Sequence, residues 1–160
     1  HSIDVRQETV LSHLVDNARI LGISTTGLDP AGDYAFEILK NVSVATKTSL
    51  SDLVARTRII TGGRETPNAP PGRNQYGWIM ETQNVDLLLT YYSNALAAID
   101  DNPHVGFCDL PEPIAMTGTY GIGVAKNTTK TAINLYRWLL SKEAQNRLAD
   151  SGFIPRMAGD

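Results

Sequence analysis

Residues 21–39, LGISTTGLDPAGDYAFEIL, constrain the fold of this chain more than any other segment. An apolar run ends at Ser24, a short loop rich in Thr and Gly follows, and an amphipathic pattern begins at Tyr34. This order predicts a strand, a tight polar loop and a helix. The bare N–H groups at such a helix start can bind an anion. Alternatively, Asp29 or Ser24 caps the helix, and on sequence alone both interpretations stay open.

The composition is typical of a folded globular protein and excludes several classes of function. Of the 160 residues, 42% are hydrophobic and 19% are charged, which is enough apolar material for one domain or two small lobes. The net charge of −3 offers no basic surface, so no nucleic-acid partner is expected. Because Cys108 is the single cysteine, an internal disulfide is excluded.

Hydrophobic periodicity predicts alternating helices and strands over most of the chain. Helices are expected at residues 9–15, 34–42, 49–58, 75–81, 128–140 and 141–148, and strands at 20–24, 85–90, 105–109 and 121–125. Such alternation predicts an α/β fold with a mostly parallel sheet flanked by helices. The apolar strands 20–24 and 85–90 are expected to be buried neighbours in that sheet.

Several polar residues are predicted to gather at the carboxyl ends of the strands, where parallel sheets bind ligands. Ser24 and Thr25 follow the first strand, and Tyr91 follows the strand at 85–90. Each also has a purely structural interpretation, as a strand-end cap or a packed ring. Arg73 precedes a predicted helix, where its charge opposes the helix dipole. It is therefore expected either to contact a ligand or to pair with an acidic residue such as Glu65 or Asp33.

The sequence lacks the common catalytic signatures. It contains neither G-x-S-x-G nor G-x-x-x-x-G-K-[ST], and its histidines, cysteine and carboxylates show no spacing of a triad or a metal site. We therefore expect a binding protein rather than an enzyme, with no catalytic residues, no metal and no cofactor.

Three segments, taken in order, resemble a known family of binding proteins. They are DPAGDYAFEIL at residues 29–39, PPGRNQYGWIMETQNVDLLLTYYSNAL at 70–96, and the closing segment at 120–155 with L-S-x-E-A-Q and a later G-F. Together they resemble the periplasmic molybdate-binding proteins of ABC importers and their oxyanion-binding relatives. The resemblance implies a lobe of the type II periplasmic binding fold. It also implies a periplasmic location, a small oxyanion of molybdate or tungstate type as ligand, and an ABC permease as membrane partner.

The same resemblance implies particular ligand-binding positions in this sequence. Its first backbone amide matches Ala31, its second falls near Arg73 and the helix start at Asn74, and its tyrosine matches Tyr91. The family usually carries an apolar residue at the position of Arg73. The two hydroxyl residues that the family carries on its first lobe have no counterpart in this sequence, and Ser24 and Thr25 are offered as hydroxyl donors by their place after the first strand.

The resemblance also implies how the chain is divided. Residues 1–119 would form the second-lobe ligand-binding domain, and 120–160 the return strand and C-terminal helices that pack on a first lobe. Without that lobe, the return segment is expected to expose apolar faces and to self-associate. An alternative of another class is the effector-binding domain of a transcriptional regulator with the same fold.

Overall fold

The computed structural model describes residues 5–83 and 85–156, and the chain divides into two compact units, residues 1–117 and 118–160. The first unit contains α1 (Val10–Val15), β1 (Leu21–Ser24), α2 (Pro30–Thr46), α3 (Leu50–Ala55), β2 (Thr57–Thr61), α4 (Gln75–Thr82), β3 (Leu87–Leu88) and α5 (Tyr92–Asp101). The second contains α6 (Lys130–Leu139) and α7 (Lys142–Asp150). Within the described residues, no helix combines the length and apolar character needed to span a membrane.

The first unit is built on a parallel sheet of three strands in the order β2-β1-β3. In the central strand, Leu21 pairs with Thr57 of β2 on one side and with Leu87 of β3 on the other. All four residues of β1 are buried, as expected for a parallel strand covered on both faces. The predicted α/β fold is confirmed, and so is the pairing of β1 with β3, but both residues of β3 are only half-buried rather than buried as predicted.

Two apolar clusters cover the sheet. The larger joins β1 to α1, α2 and α3 through fully buried side chains that include Leu14, Leu39 and Leu53. The smaller contains Ile60, Ile79 and Val85. Leu87 packs against the larger cluster and Leu88 against the smaller one, so the clusters lie on opposite faces of the sheet. Each large aliphatic side chain buried in this way contributes about 1.5–3 kcal/mol.

Several element boundaries differ from the sequence predictions. The helix predicted at 49–58 ends at Ala55, because residues 57–61 pair with β1 as an unpredicted strand. Strand 85–90 is reduced to Leu87–Leu88, and α5 was not predicted. The strands predicted at 105–109 and 121–125 do not form in the described structure. These short apolar runs have the right composition, but a strand requires a partner edge and they have none here.

The second unit consists of two capped helices and their flanking segments. Thr129 accepts a hydrogen bond from the Ala132 N–H at 3.2 Å, and Ser141 accepts one from the Ala144 N–H at 3.3 Å. Ser141 therefore caps α7 as the sequence predicted. Ala144 is buried, and the rings of Tyr120 and Phe153 meet edge to face at 5.7 Å. Other apolar side chains of this unit are exposed: Leu135, Trp138, Leu140 and Ile154.

Candidate functional site

The amino end of α2 is built around the carboxylate of Asp29. Asp29 is the N-cap residue, and Pro30 occupies the first helical position, where a missing N–H costs nothing. One carboxylate oxygen of Asp29 accepts the Ala31 N–H at 3.0 Å, and the other accepts the Ser24 O–H at 2.5 Å. Of the two capping candidates, Asp29 is therefore the residue that caps the helix.

Two glycines allow the chain to pack closely around this carboxylate. A Cβ at Gly32 would lie 2.5–2.7 Å from backbone atoms of Ser24 and Thr25. Gly62 has φ +73°, and a Cβ there would lie 2.7 Å from a carboxylate oxygen of Asp29 and collide with the Ser24 hydroxyl. The glycine of the P-A-G sequence is therefore required for the approach of α2 to β1, and Gly62 brings the loop after β2 against both.

Hydrogen bonds to β2 and α2 fix the polar loop that follows β1. The Thr25 N–H and hydroxyl both donate to the Thr61 carbonyl, at 3.1 and 3.0 Å. The Gly27 N–H donates to the Asp33 carboxylate at 2.8 Å. Two acidic side chains, Asp29 and Asp33, therefore lie at the amino end of α2, where the helix dipole favours negative charge.

Tyr91 reaches this region from the third strand. It is the N-cap residue of α5, three residues after the end of β3, and its ring meets that of Tyr34 edge to face with centroids 6.2 Å apart. Tyr34 lies three residues after Ala31, on the same side of α2. The structure thus brings Ser24, Thr25, Ala31 and Tyr91 to the carboxyl-end edge of the sheet, and we refer to these four residues with Tyr34 as the strand-end site.

Arg73 and Asn74 instead join α4 to the end of α5. The Arg73 guanidinium donates to Asp101 at 3.1–3.2 Å and to Glu81 at 2.7 Å, and these partners replace the expected Glu65 or Asp33. Asn74 donates its N–H to Asp101 at 2.9 Å, and its side chain caps α4 by accepting the N–H groups of Tyr76 and Gly77.

These contacts shift both pKa values in the direction expected for an ion pair. The hydrogen bonds that Arg73 donates to Asp101 and then to Glu81 raise the pKa of Arg73 above its ordinary value. The Arg73 guanidinium, followed by the Asn74 N–H, lowers the pKa of the Asp101 carboxyl below its ordinary value. Two carboxylates thus offset the charge of Arg73. Sequence reasoning missed Asp101, because a partner 28 residues away leaves no local signal.

All three amides suggested for ligand binding have internal acceptors. Ala31 donates to Asp29, Asn74 donates to Asp101, and the Arg73 N–H donates to the Pro70 carbonyl at 3.1 Å. An anion that used these amides would have to compete with those acceptors. Among residues 5–83 and 85–156, no group of three or more His, Cys, Asp or Glu side chains is arranged to hold a metal ion.

A cavity of about 870 Å³ extends along β3, apart from the strand-end site. Its walls include Leu87, Leu88 and Phe107, and Arg73 and both of its partners, Glu81 and Asp101, also line it. It does not include Ser24, Thr25, Ala31 or Tyr91. This cavity and the strand-end site are therefore different places.

Comparison with known proteins identifies what the chain is similar to. A family model described as bacterial extracellular solute-binding protein matches residues 5–154. An uncharacterized protein of Pasteurella multocida is 29% identical over 136 residues, which are 84% of this chain and 55% of the relative. The chain thus spans about half the length of that curated relative. No solved structure matches it significantly.

Proposed function

Because this chain belongs to the family of bacterial extracellular solute-binding proteins, we propose that it is the solute-binding part of an ABC importer and that its solute is a small oxyanion. The family membership itself supports binding of a small solute and a location outside the cytoplasmic membrane. It also favours transport over the effector domain of a transcriptional regulator. The oxyanion, of molybdate or tungstate type, and the permease partner are the finer parts of the proposal.

The proposal rests on one observation: the amino end of a helix, two hydroxyl side chains and a tyrosine lie at the same edge of the sheet. Ala31 lies in the first turn of a helix of 17 residues, Ser24 ends the central strand with Thr25 directly after it, and Tyr91 follows β3. Uncharged donors of this kind hold an oxyanion through several short hydrogen bonds without requiring a full countercharge. Selectivity would then depend on the size of the site and the number of donors.

Arg73 and Asn74 have a supporting part in this proposal. Their bonds to Asp101 fix the start of α4 to the end of α5, the helix that Tyr91 begins. By holding α5 in place, they would hold the Tyr91 ring against Tyr34.

Calorimetric titration of the full-length protein with molybdate, tungstate, sulfate, phosphate and a small carboxylate tests the proposal. We expect saturable binding of at least one oxyanion. Tyr91→Phe should weaken it by about 1.5–3 kcal/mol, the scale of a hydrogen bond to a charged group. Tyr92→Phe is the matched control, because that ring packs on Phe107 instead. If the protein binds none of these anions, the oxyanion proposal is contradicted. If Tyr91→Phe and Tyr92→Phe change the affinity equally, Tyr91 does not contact the solute.

A further inference from the structure

The Asp29 carboxylate uses donors that the proposed function assigns to the solute. It accepts the Ala31 N–H at 3.0 Å and the Ser24 hydroxyl at 2.5 Å, so each of its oxygens takes one donor of the strand-end site. Ser24 is only 2% exposed, and its hydroxyl is therefore oriented toward Asp29 within a packed environment. A carboxylate held in this way is chemically a bound anion supplied by the protein itself.

The chain closes around this carboxylate, so its position is well defined. The backbone at Gly62 comes so near that a Cβ there would lie 2.7 Å from one carboxylate oxygen and 2.8 Å from the Asp29 Cβ. On the other side, Gly32 holds the first turn of α2 against the end of β1. An anion that reached the Ala31 N–H would consequently lie beside the charge of Asp29, or would have to displace it.

Among residues 5–83 and 85–156, no lysine or arginine forms an ion pair with Asp29. The basic residue predicted for the site, Arg73, is bound by Asp101 and Glu81. The neighbouring charged group at the same helix end is Asp33, which is also acidic and accepts the Gly27 N–H. The positive end of the α2 dipole amounts to only about half a unit charge. For a divalent anion both the repulsion by Asp29 and the attraction by the dipole double, and because the charge of Asp29 is the larger of the two, the net repulsion also doubles.

We infer that Asp29 determines the charge selectivity of the strand-end site: its carboxylate competes for the Ser24 and Ala31 donors and disfavours divalent anions relative to monovalent ones. This inference rests on the proposed function, because it concerns the selectivity of that same site. It makes Asp29 a specificity-determining residue in addition to a helix cap.

The test compares Asp29→Asn with the wild-type full-length protein, using molybdate and sulfate as divalent probes and nitrate as the monovalent probe. Asn caps helices about as well as Asp, so the variant removes the charge and keeps the cap. We expect divalent anions to bind about tenfold more tightly or better, and nitrate to gain only about threefold, because the Coulomb term scales with the charge of the anion. Asp33→Asn is the matched control. It removes the same charge from the same helix end but frees none of the site donors, so its effect should be smaller.

Thermal unfolding of each variant verifies that it is folded, and Asp29→Ser supplies a second uncharged cap if the Asn variant is not. Tight binding of divalent anions by the variant, but not by the wild type, supports the inference and contradicts a divalent oxyanion as the natural solute. If the wild type binds divalent anions and the variant binds them equally well or more weakly, the inference is overturned and the proposed function still stands. No anion binding by either protein overturns both.

Discussion

Arg73 illustrates how a single residue can be held where its charge alone is unfavourable. A cation at the start of a helix opposes the dipole, yet Arg73 directly precedes the N-cap of α4. The Asp101 carboxylate lies at the same place, accepts the Asn74 N–H and pairs with the guanidinium. The negative charge of Asp101 therefore faces the amino end of α4. Arg73 pairs with that carboxylate and also with Glu81.

We expect Arg73→Ala to lower the urea midpoint of unfolding, because it removes the bridge between α4 and α5. Arg64→Ala is the control, since Arg64 is an exposed arginine in the preceding loop. Anion affinity should fall less than in Tyr91→Phe. An unchanged midpoint together with a loss of about 1.5–3 kcal/mol in anion binding would show instead that Arg73 contacts the solute directly.

The depressed pKa of Asp101 makes this bridge sensitive to acid. A carboxyl whose pKa is lower in the folded than in the unfolded state adds stability above its ordinary pKa of 3.8, and that stability is lost as the pH falls through the folded value. We expect Asp101→Asn to be less stable than wild type near pH 6, with the difference shrinking below about pH 4. Urea unfolding at several pH values measures it, and a constant difference down to pH 2 would contradict the prediction.

At the scale of secondary-structure elements, the close packing of α2 against the end of β1 determines where the helix lies in the first unit. Gly32 is buried in the first turn of α2, where an added Cβ would meet the backbone of Ser24 and Thr25. Backbone atoms cannot rotate away as a side chain can. The position of the whole helix, and with it Ala31 and Tyr34, therefore depends on this residue.

Gly32→Ala should destabilise the protein by about 1–3 kcal/mol or more, the usual cost of overpacking. Gly106→Ala is the matched control, because an added Cβ there meets nothing within 4 Å. The control should be neutral or slightly stabilising, since alanine restricts the unfolded chain. Chemical denaturation of both variants measures the difference, and equal stabilities would mean that α2 can shift without cost.

At the scale of the whole molecule, the two units differ in how well they bury their apolar residues. The first has two apolar clusters around its sheet. In the described part of the second, α6 has no buried residue, while Leu135, Trp138 and Ile154 are 55%, 41% and 82% exposed. Apolar side chains concentrated in this way favour association with another surface.

We expect this 160-residue chain, studied alone, to self-associate at high concentration through the apolar side chains of α6. The double variant Leu135→Lys with Trp138→Lys should shift light scattering toward the monomer mass. Val44→Lys is the control, because Val44 is 81% exposed but lies on α2 in the first unit. A monodisperse monomer in the wild-type chain would contradict the prediction.

Much of the fold could be predicted from local sequence. Hydrophobic periodicity identified α1, α2, α4, α6 and α7, and the apolar segments that became β1 and β3. Asp29 and Ser141 could be predicted as caps because a cap acts on amides two or three residues away. Family resemblance pointed to the solute-binding class, and the family match bears this out. Each of these signals lies within a segment of the chain.

Only the tertiary structure decided which distant segments meet. Residues 57–61 became a strand because β1 offered them an edge, whereas 105–109 and 121–125, equally apolar, found no partner among the described residues. Arg73 met Asp101 because α4 and α5 pack together, and Tyr91, at the start of α5, met Tyr34 of α2. A helix cap or an amphipathic stripe is determined by residues that are close together in the sequence. Strand pairing and long-range ion pairs depend instead on the free energy of the whole packed arrangement.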